Sequence, residues 1–262
     1  MLRSILVPLD GSPYSASATT FAIHWAKLSG ASLTGLALVD EPEIIGHGPV
    51  SATGSHYKKH RDEVLLKEAH AEAVTFTDAF TARCQQENLT RVATLIEHGT
   101  PFRLIQREAQ SHDVIIMGQS TDFYFDDSTD FGDDGTLKEV LQNSPRPVIT
   151  APQQFAGGSS IVIAYDGSLQ SARALQMFNL LGIGLFVPVH ILCIKDKDTA
   201  EADAQRACTF LRAHKVDPTL HVLDRDGSVG DTLIAKAREL DAGLFVMGAY
   251  GKPDSLREWV FG

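Results

Sequence analysis

A chain of 262 residues, with 44 % hydrophobic and 21 % charged residues, is long enough for two ordinary globular domains. Its net charge of −10 disfavours binding to duplex nucleic acid or to an anionic membrane surface, so neither is an expected partner. The three cysteines are sparse and odd in number, which argues against a disulfide framework, and no Cys/His spacing indicates a metal site. Because the N-terminus leads straight into a strand-like segment without signal-peptide features, we expect a cytoplasmic protein.

The first half alternates short apolar segments with helix-like segments. Ser12 and Pro13 form a helix start, and Gly30 is a typical helix stop. Helices are also predicted over roughly residues 58–86, from Thr100 and Pro101 onward, and over residues 137–141. The predicted strands cover residues 5–9, 33–39, 92–96, 114–117 and 147–151. This alternation predicts a parallel sheet covered by helices on both faces.

The second half repeats the first. Ser4–Ser12 matches Ser160–Ser168 at an offset of 156 residues, and Met117-Gly118 matches Met247-Gly248 further on. A two-copy repeat of this length indicates two tandem α/β domains, each an open parallel sheet with helices on both faces. We predict a first domain over residues 1–152, a linker over 153–159 rich in Gly and Ser, and a second domain over 160–262. After a helix-like segment over 255–261, the second copy as given has no counterpart of the fifth strand, so we expect it to be C-terminally incomplete.

The distinctive residues of both copies are predicted to lie at the carboxyl ends of strands. Asp10 and Asp166 end the first strand of each copy, and Gly118 and Gly248 end the fourth. Ligands of open parallel sheets bind beyond these strand ends. The loop that follows Gly248 contains further glycines, whose backbone N–H groups can cradle phosphate, although its spacing is neither a Walker A loop nor a dinucleotide fingerprint.

These motifs resemble those of the universal stress protein family over nearly the whole chain. The strand ending at Pro8–Ser12, and the fourth strand ending in Met-Gly before a Gly-x-x-Gly loop, carry the resemblance. It implies a fold of the universal stress protein or adenine nucleotide alpha hydrolase type, and a stress-response protein that binds ATP or AMP, with Mg²⁺ as an accompanying ion. In the second copy the implied nucleotide-binding residues are Ala164, Tyr165, Asp166, Ile194, Met247, Gly248, Gly251 and Gly262.

The first copy departs from the family pattern, and we expect its site to be degenerate. Its matching residues are Pro8, Asp10, Leu38, Met117 and Gly118, with Gly135 and Thr136 as a remnant of the phosphate-binding end. Thr121 replaces the second glycine, and six aspartates without any Lys or Arg lie between Gly118 and Lys138. These carboxylates would repel a metal-free triphosphate.

Other interpretations stay open at this stage. Asp10 and Asp166 could serve only the turns that contain them, and Gly118 and Gly248 could serve only tight turns between strand and helix. An interaction scaffold that uses this fold without binding nucleotide is the alternative function. No nucleophile elbow and no general base are identifiable, so no catalytic residue is predicted and slow ATP hydrolysis is the most that we expect. We also expect the two copies to pair within one chain, and a homodimer is a further hypothesis.

Overall fold

The computed structural model describes residues 1–46, 55–123, 135–154 and 157–249. The chain divides into two compact units, one of Arg3–Phe155 and one of Ala156–Gly262 together with Met1–Leu2. Each unit contains a parallel β-sheet with helices, which confirms the predicted class of two tandem α/β domains. The domain bounds at residues 152 and 160, and the linker between them, stay predictions.

The first domain contains a sheet of five parallel strands in the order β3-β2-β1-β4-β5. Its elements in chain order are β1 (Ser4–Leu9), α1 (Pro13–Ser29), β2 (Ser32–Val39), α2 (Glu41–Gly46), α3 (Ser55–Gln86), β3 (Val92–His98), α4 (Pro101–Ala109), β4 (Val114–Gly118), α5 (Thr136–Asn143) and β5 (Val148–Ala151). β4 is buried over its whole length, and β1 is buried from Ile5 onward, as expected for central strands covered on both faces.

The start and stop signals of α1 act as the sequence predicts. The hydroxyl of Ser12 accepts a hydrogen bond from the backbone N–H of Ser15 at 3.1 Å, and Pro13 occupies the first helical position. Gly30 ends the helix in the left-handed conformation with φ of 70°, which glycine adopts without steric cost. α1 therefore begins directly beyond the carboxyl end of β1.

Two helix starts differ from the sequence-based expectation. The helix α2 was not predicted; its start is capped by Asp40, whose Oδ1 accepts the N–H of Glu43 at 3.1 Å. Six residues are too few for a recognisable apolar periodicity, which explains why the pattern missed it. Thr100 stands at the N-cap of α4 as predicted, but its side chain makes no capping hydrogen bond.

The second domain repeats this arrangement, with four strands among the described residues in the order β8-β7-β6-β9. Its elements are β6 (Ser160–Ala164), α6 (Leu169–Leu181), a short 3₁₀ helix (Ile183–Leu185), β7 (Val189–Ile194), α7 (Ala200–Ala213), β8 (Thr219–Leu223), α8 (Val229–Glu239) and β9 (Ala242–Val246). All pairings between these strands are parallel. The helix predicted over residues 255–261 lies outside the described residues.

Helix α8 covers one face of this second sheet. Val162, Leu192 and Ala237 form a buried cluster there, with Leu223 and Phe245 packed against it. Across the described ranges, no helix combines the length and the apolar character that spanning a bilayer would require.

Candidate functional site

In each sheet the chain adds strands on one side of its first strand and then crosses to add the next strand on the other side. In the first sheet β1 pairs with β2 on one side and with β4 on the other, and in the second sheet β6 lies between β7 and β9 in the same way. The carboxyl ends of the two strands that flank such a reversal diverge into a crevice, where ligands of open α/β sheets bind. Asp10 and Gly118 flank the crevice of the first domain, and Asp166 and Gly248 flank that of the second.

Asp166 begins the turn that joins β6 to α6. Its Oδ1 accepts the backbone N–H of Ser168 at 2.9 Å, and Gly167 holds the turn with φ of 75°. Partial desolvation raises the pKa of Asp166, but hydrogen bonds from Ser168 and Ser171 outweigh it, so the net pKa lies below its ordinary value. The residue is solvent-exposed and therefore presents an ionised carboxylate at the crevice at neutral pH.

Asp10 occupies the same position in the first domain but makes an additional backbone contact. Its Oδ1 accepts the N–H of Ser12 at 2.9 Å, and its Oδ2 accepts the N–H of Asp122 at 3.0 Å. Thr121 and Phe123, on either side of Asp122, are buried. The segment that follows β4 is thus anchored on the Asp10 carboxylate, and both carboxylate oxygens already accept backbone hydrogen bonds. The position equivalent to Asp122 in the second domain lies outside the described residues.

Gly118 and Gly248 make room for the first turns of two helices. A Cβ on Gly118 would lie 2.7 Å from Cβ of Tyr14 in α1, and a Cβ on Gly248 would lie 2.6 Å from the backbone carbonyl carbon of Gln170 in α6. Real Cβ atoms do not approach other atoms so closely, so any larger residue would displace the helix. This packing accounts for both glycines without a ligand.

The other predicted residues of the second domain line the strand ends. Ala164 is the last residue of β6, Ile194 is the buried last residue of β7, and Met247 follows β9 directly. Burial, together with the nearby carboxylates of Asp203 and Asp166, raises the pKa of half-buried Tyr165, whose hydroxyl therefore stays neutral. The predicted phosphate-facing residues at positions 251 and 262 lie outside the described residues.

Of the remaining predicted residues of the first domain, three lie in the sheet core and two at the start of a helix. Pro8, Leu38 and Met117 are buried within β1, β2 and β4, so they contribute to the sheet core. Gly135, with φ of 75°, is the N-cap of α5, and Thr136 is its buried first residue. The aspartates from 126 to 134 lie outside the described residues.

A charged cluster beside Asp166 was not predicted from the sequence. The Lys197 ammonium donates a hydrogen bond to the backbone carbonyl of Asp166 at 2.7 Å and pairs with Oδ2 of Asp203 at 3.1 Å. Arg206 pairs with Oδ1 of the same Asp203 at 2.6 Å. Asp203 lies on α7, far from Asp166 in sequence, and no local pattern could have joined them. In the sequence, the only hint of this segment's role was its position, because Lys197 follows Asp196, which the repeat aligns with Asp40.

The cysteines offer no reactive group at this site. Cys84, Cys193 and Cys208 are all buried free thiols, and burial raises the pKa of Cys84 to about 11. Such thiols stay protonated at neutral pH and behave as small apolar side chains. In the described part of the chain, no three His, Cys, Asp or Glu side chains converge as metal ligands would.

The two parallel sheets, each with helices and a strand-end crevice, define an α/β fold that is built twice in one chain. Residues 1–152 match the family model described as universal stress protein family, and the chain belongs to that family. The universal stress protein Slr1230 of Synechocystis sp. is 21 % identical over 261 residues, which cover 95 % of this chain and 90 % of that protein.

Two solved structures of this family are similar to the chain to different degrees. A universal stress protein from Archaeoglobus fulgidus superposes with a TM-score of 0.61 at 17 % identity, covering 93 % of this chain and 86 % of that one. A family protein from Arabidopsis thaliana, solved with AMP bound, covers 58 % of this chain and 92 % of its own at 12 % identity, with a TM-score of 0.39. The Archaeoglobus structure is thus similar to this chain over both domains.

Proposed function

We propose that this universal stress protein binds an adenine nucleotide, ATP or AMP, at the crevice of its second domain. The observation that carries the proposal is the exposed, ionised carboxylate of Asp166 at the crevice between β6 and β9. A carboxylate there can accept hydrogen bonds from the ribose hydroxyls or from the adenine amino group, and charge-assisted bonds of this kind contribute about 1.5–3 kcal/mol each. The AMP-bound Arabidopsis protein is too distant to support the assignment, which rests on the residues of this chain.

Other residues of the proposed site have side chains and backbone groups that suit a nucleotide. Ala164 and Ile194 offer small and branched apolar side chains at neighbouring strand ends, which suit the face of an adenine ring. Backbone N–H groups following Gly248, with Gly251 and Gly262, are proposed to hold the phosphates, because glycine lets the backbone approach an anion closely. Mg²⁺ would neutralise phosphate charge when ATP is the ligand.

The first domain is proposed to bind no nucleotide. Both oxygens of Asp10 accept backbone hydrogen bonds, one of them from Asp122 in the segment after β4. A nucleotide would have to break the bond from Asp122 before it could use the same oxygen. This contact adds to the electrostatic repulsion expected from the aspartates of that loop.

Isothermal titration of AMP into the wild-type chain and the Asp166→Ala variant tests the proposal. We expect the variant to keep its fold and to bind AMP at least about tenfold more weakly, because it loses the charged acceptor. Asp10→Ala is the matched control at the equivalent position and is expected to leave AMP affinity unchanged. Equal AMP affinity in folded Asp166→Ala and wild type would refute the assignment of Asp166.

An interaction scaffold that binds no nucleotide is the second candidate. It is favoured by one observation, namely that Gly118 and Gly248 are both accounted for by packing against α1 and α6. Mass spectrometry of small molecules released by heating the purified protein separates the two functions. Adenine nucleotide in stoichiometric amounts would reject the scaffold, and its absence together with no AMP binding in titration would favour it.

A further inference from the structure

Helix α7 supports the turn that carries Asp166 through charged side chains. The ammonium of Lys197 joins two acceptors, the backbone carbonyl of Asp166 at 2.7 Å and Oδ2 of Asp203 at 3.1 Å. Asp203 also accepts a hydrogen bond from the hydroxyl of Thr199 at 3.0 Å and pairs with Arg206 at 2.6 Å. Lys197 thus connects the end of β6 to the start of α7.

The first domain supports its equivalent turn in a different way. There the ring of Phe76, from α3, lies against Gly11, whereas in the second domain the Asp203 carboxylate lies against Gly167. Glu41 stands at the position that the repeat aligns with Lys197. An apolar contact in one copy is therefore replaced by an ion pair and a hydrogen bond in the other. The change is confined to the copy whose first-strand aspartate is solvent-exposed.

We infer that Lys197 is a positioning residue for the nucleotide site, because it fixes the backbone of Asp166 and thereby the direction of its carboxylate. The inference rests on the proposed function. Gly167 has φ of 75° and no side chain to pack, so the turn depends on contacts from outside it. Within the turn, the N–H of Ser168 donates to the Asp166 carboxylate, and Lys197 supplies the contact from outside, on the carbonyl side.

Charge keeps this contact in place at neutral pH. The hydrogen bond to Asp203 raises the pKa of Lys197, so the ammonium stays protonated, and the bond from Lys197 in turn lowers the pKa of Asp203. The side chain of Asp203 is only 20 % exposed, while that of Lys197 is 43 % exposed. Without the ammonium, the Asp166 carbonyl would accept hydrogen bonds only from water. Asp203 would lose one of its two ion pairs. We expect the turn to sample more conformations as a result.

The test compares Lys197→Met with Lys195→Met in the full-length chain. Lys195 is an exposed lysine on the same segment, and its ammonium makes no ion pair or hydrogen bond among the described residues, so it controls for the loss of one positive charge near an anionic ligand. We expect Lys197→Met to bind AMP about three- to tenfold more weakly and Lys195→Met to stay within about twofold of wild type. Lys197→Arg keeps the charge and the donors and is expected to restore most of the affinity.

Hydrogen exchange without nucleotide, measured by mass spectrometry over residues 166–171, reports directly on the turn. Faster exchange in Lys197→Met than in Lys195→Met supports the positioning role. Weaker AMP binding with unchanged exchange would contradict it, since Lys197 would then act by touching the ligand. Unchanged AMP affinity in Lys197→Met would overturn this inference alone, whereas no AMP binding by the wild-type chain would overturn the proposed function and this inference with it.

Discussion

The two first-strand aspartates occupy the same repeat position but have different surroundings. Asp10 and Asp166 each accept the N–H two residues ahead at 2.9 Å, so both stabilise the turn that begins a helix. Asp10 also holds the segment after β4 through Asp122, and it is half-buried, while Asp166 is exposed. We interpret the first carboxylate as structural and the second as the ligand-binding one.

Replacing Asp10 with Ala is expected to lower the free energy of unfolding of the first domain by about 1–3 kcal/mol. Two backbone N–H groups, of Ser12 and Asp122, would lose their acceptor, and unsatisfied groups of this kind cost about that much. Chemical denaturation of the variant beside Asp166→Ala checks this. A larger destabilisation in Asp166→Ala than in Asp10→Ala would contradict the division of roles.

Gly118→Ala is expected to destabilise the protein by roughly 1–3 kcal/mol, because the new methyl group would overlap the first turn of α1. Gly46→Ala is the matched control, since a Cβ there meets no atom of the described residues within 4 Å and its cost should stay within about 0.5 kcal/mol. Thermal or denaturant unfolding of the two variants measures the difference. Equal stability would show that α1 can shift freely and that packing does not require Gly118.

At the scale of elements, a pair of histidines lies in the second sheet beside α8. His190 Nδ1 and His221 Nε2 are 3.1 Å apart, so one imidazole donates an N–H and the other must stay unprotonated to accept it. Partial burial and the charge of Lys236 on α8 lower both pKa values, and His190 lowers that of His221 further. Glu239, which pairs with Lys236, acts on His221 in the opposite direction.

The stability of the second domain is therefore expected to fall as the pH drops below about 6.5, the ordinary histidine value. In the unfolded chain the imidazoles take up protons near that pH, whereas in the folded chain they become protonated only at lower pH. Acid therefore favours the unfolded chain. Calorimetry at pH 7.5 and 5.5 should show a smaller drop in melting temperature between the two pH values when His190 and His221 are both replaced by Gln. The exposed pair His70 and His98 is the control, and an equal effect from its replacement would contradict the account.

Much of the fold could be predicted from the sequence because its signals are local. The Ser-Pro start and Gly stop of α1, and the apolar strand segments, are read from neighbouring residues, and the repeat then fixes the second domain. The short helix α2 was missed because its cap, Asp40, precedes a segment with no periodicity. For the site, the repeat located Asp166 and Gly248, but the contact of Lys197 with Asp203 depends on how α7 packs against the turn.

At the scale of the whole molecule, the two domains share a topology and differ at the crevice. Duplication of one α/β unit accounts for the common strand order around β1 and β6. Among the described residues, different side chains contact the first-strand turn: Phe76 in the first domain, and Lys197 and Asp203 in the second. Under the proposed function, the duplicated architecture carries one ligand-binding crevice and one that binds no nucleotide.

Pairing of the two domains within one chain stays a prediction, as does a homodimer of chains. An edge strand of a sheet, such as β5, is usually covered in proteins. Small-angle scattering of the full-length chain measures this directly, with a compact particle as the expected result. Scattering from two separated, independently moving domains would contradict the pairing.

The count of nucleotides per chain tests the central claim most directly. Native mass spectrometry of the full-length chain, titrated with ATP with and without Mg²⁺, gives that count without assuming which residues bind. We predict one ATP per chain, lost in Asp166→Ala and retained in Asp10→Ala. Two ATP per chain without Mg²⁺, or one ATP that persists in Asp166→Ala and disappears in Asp10→Ala, would contradict the account.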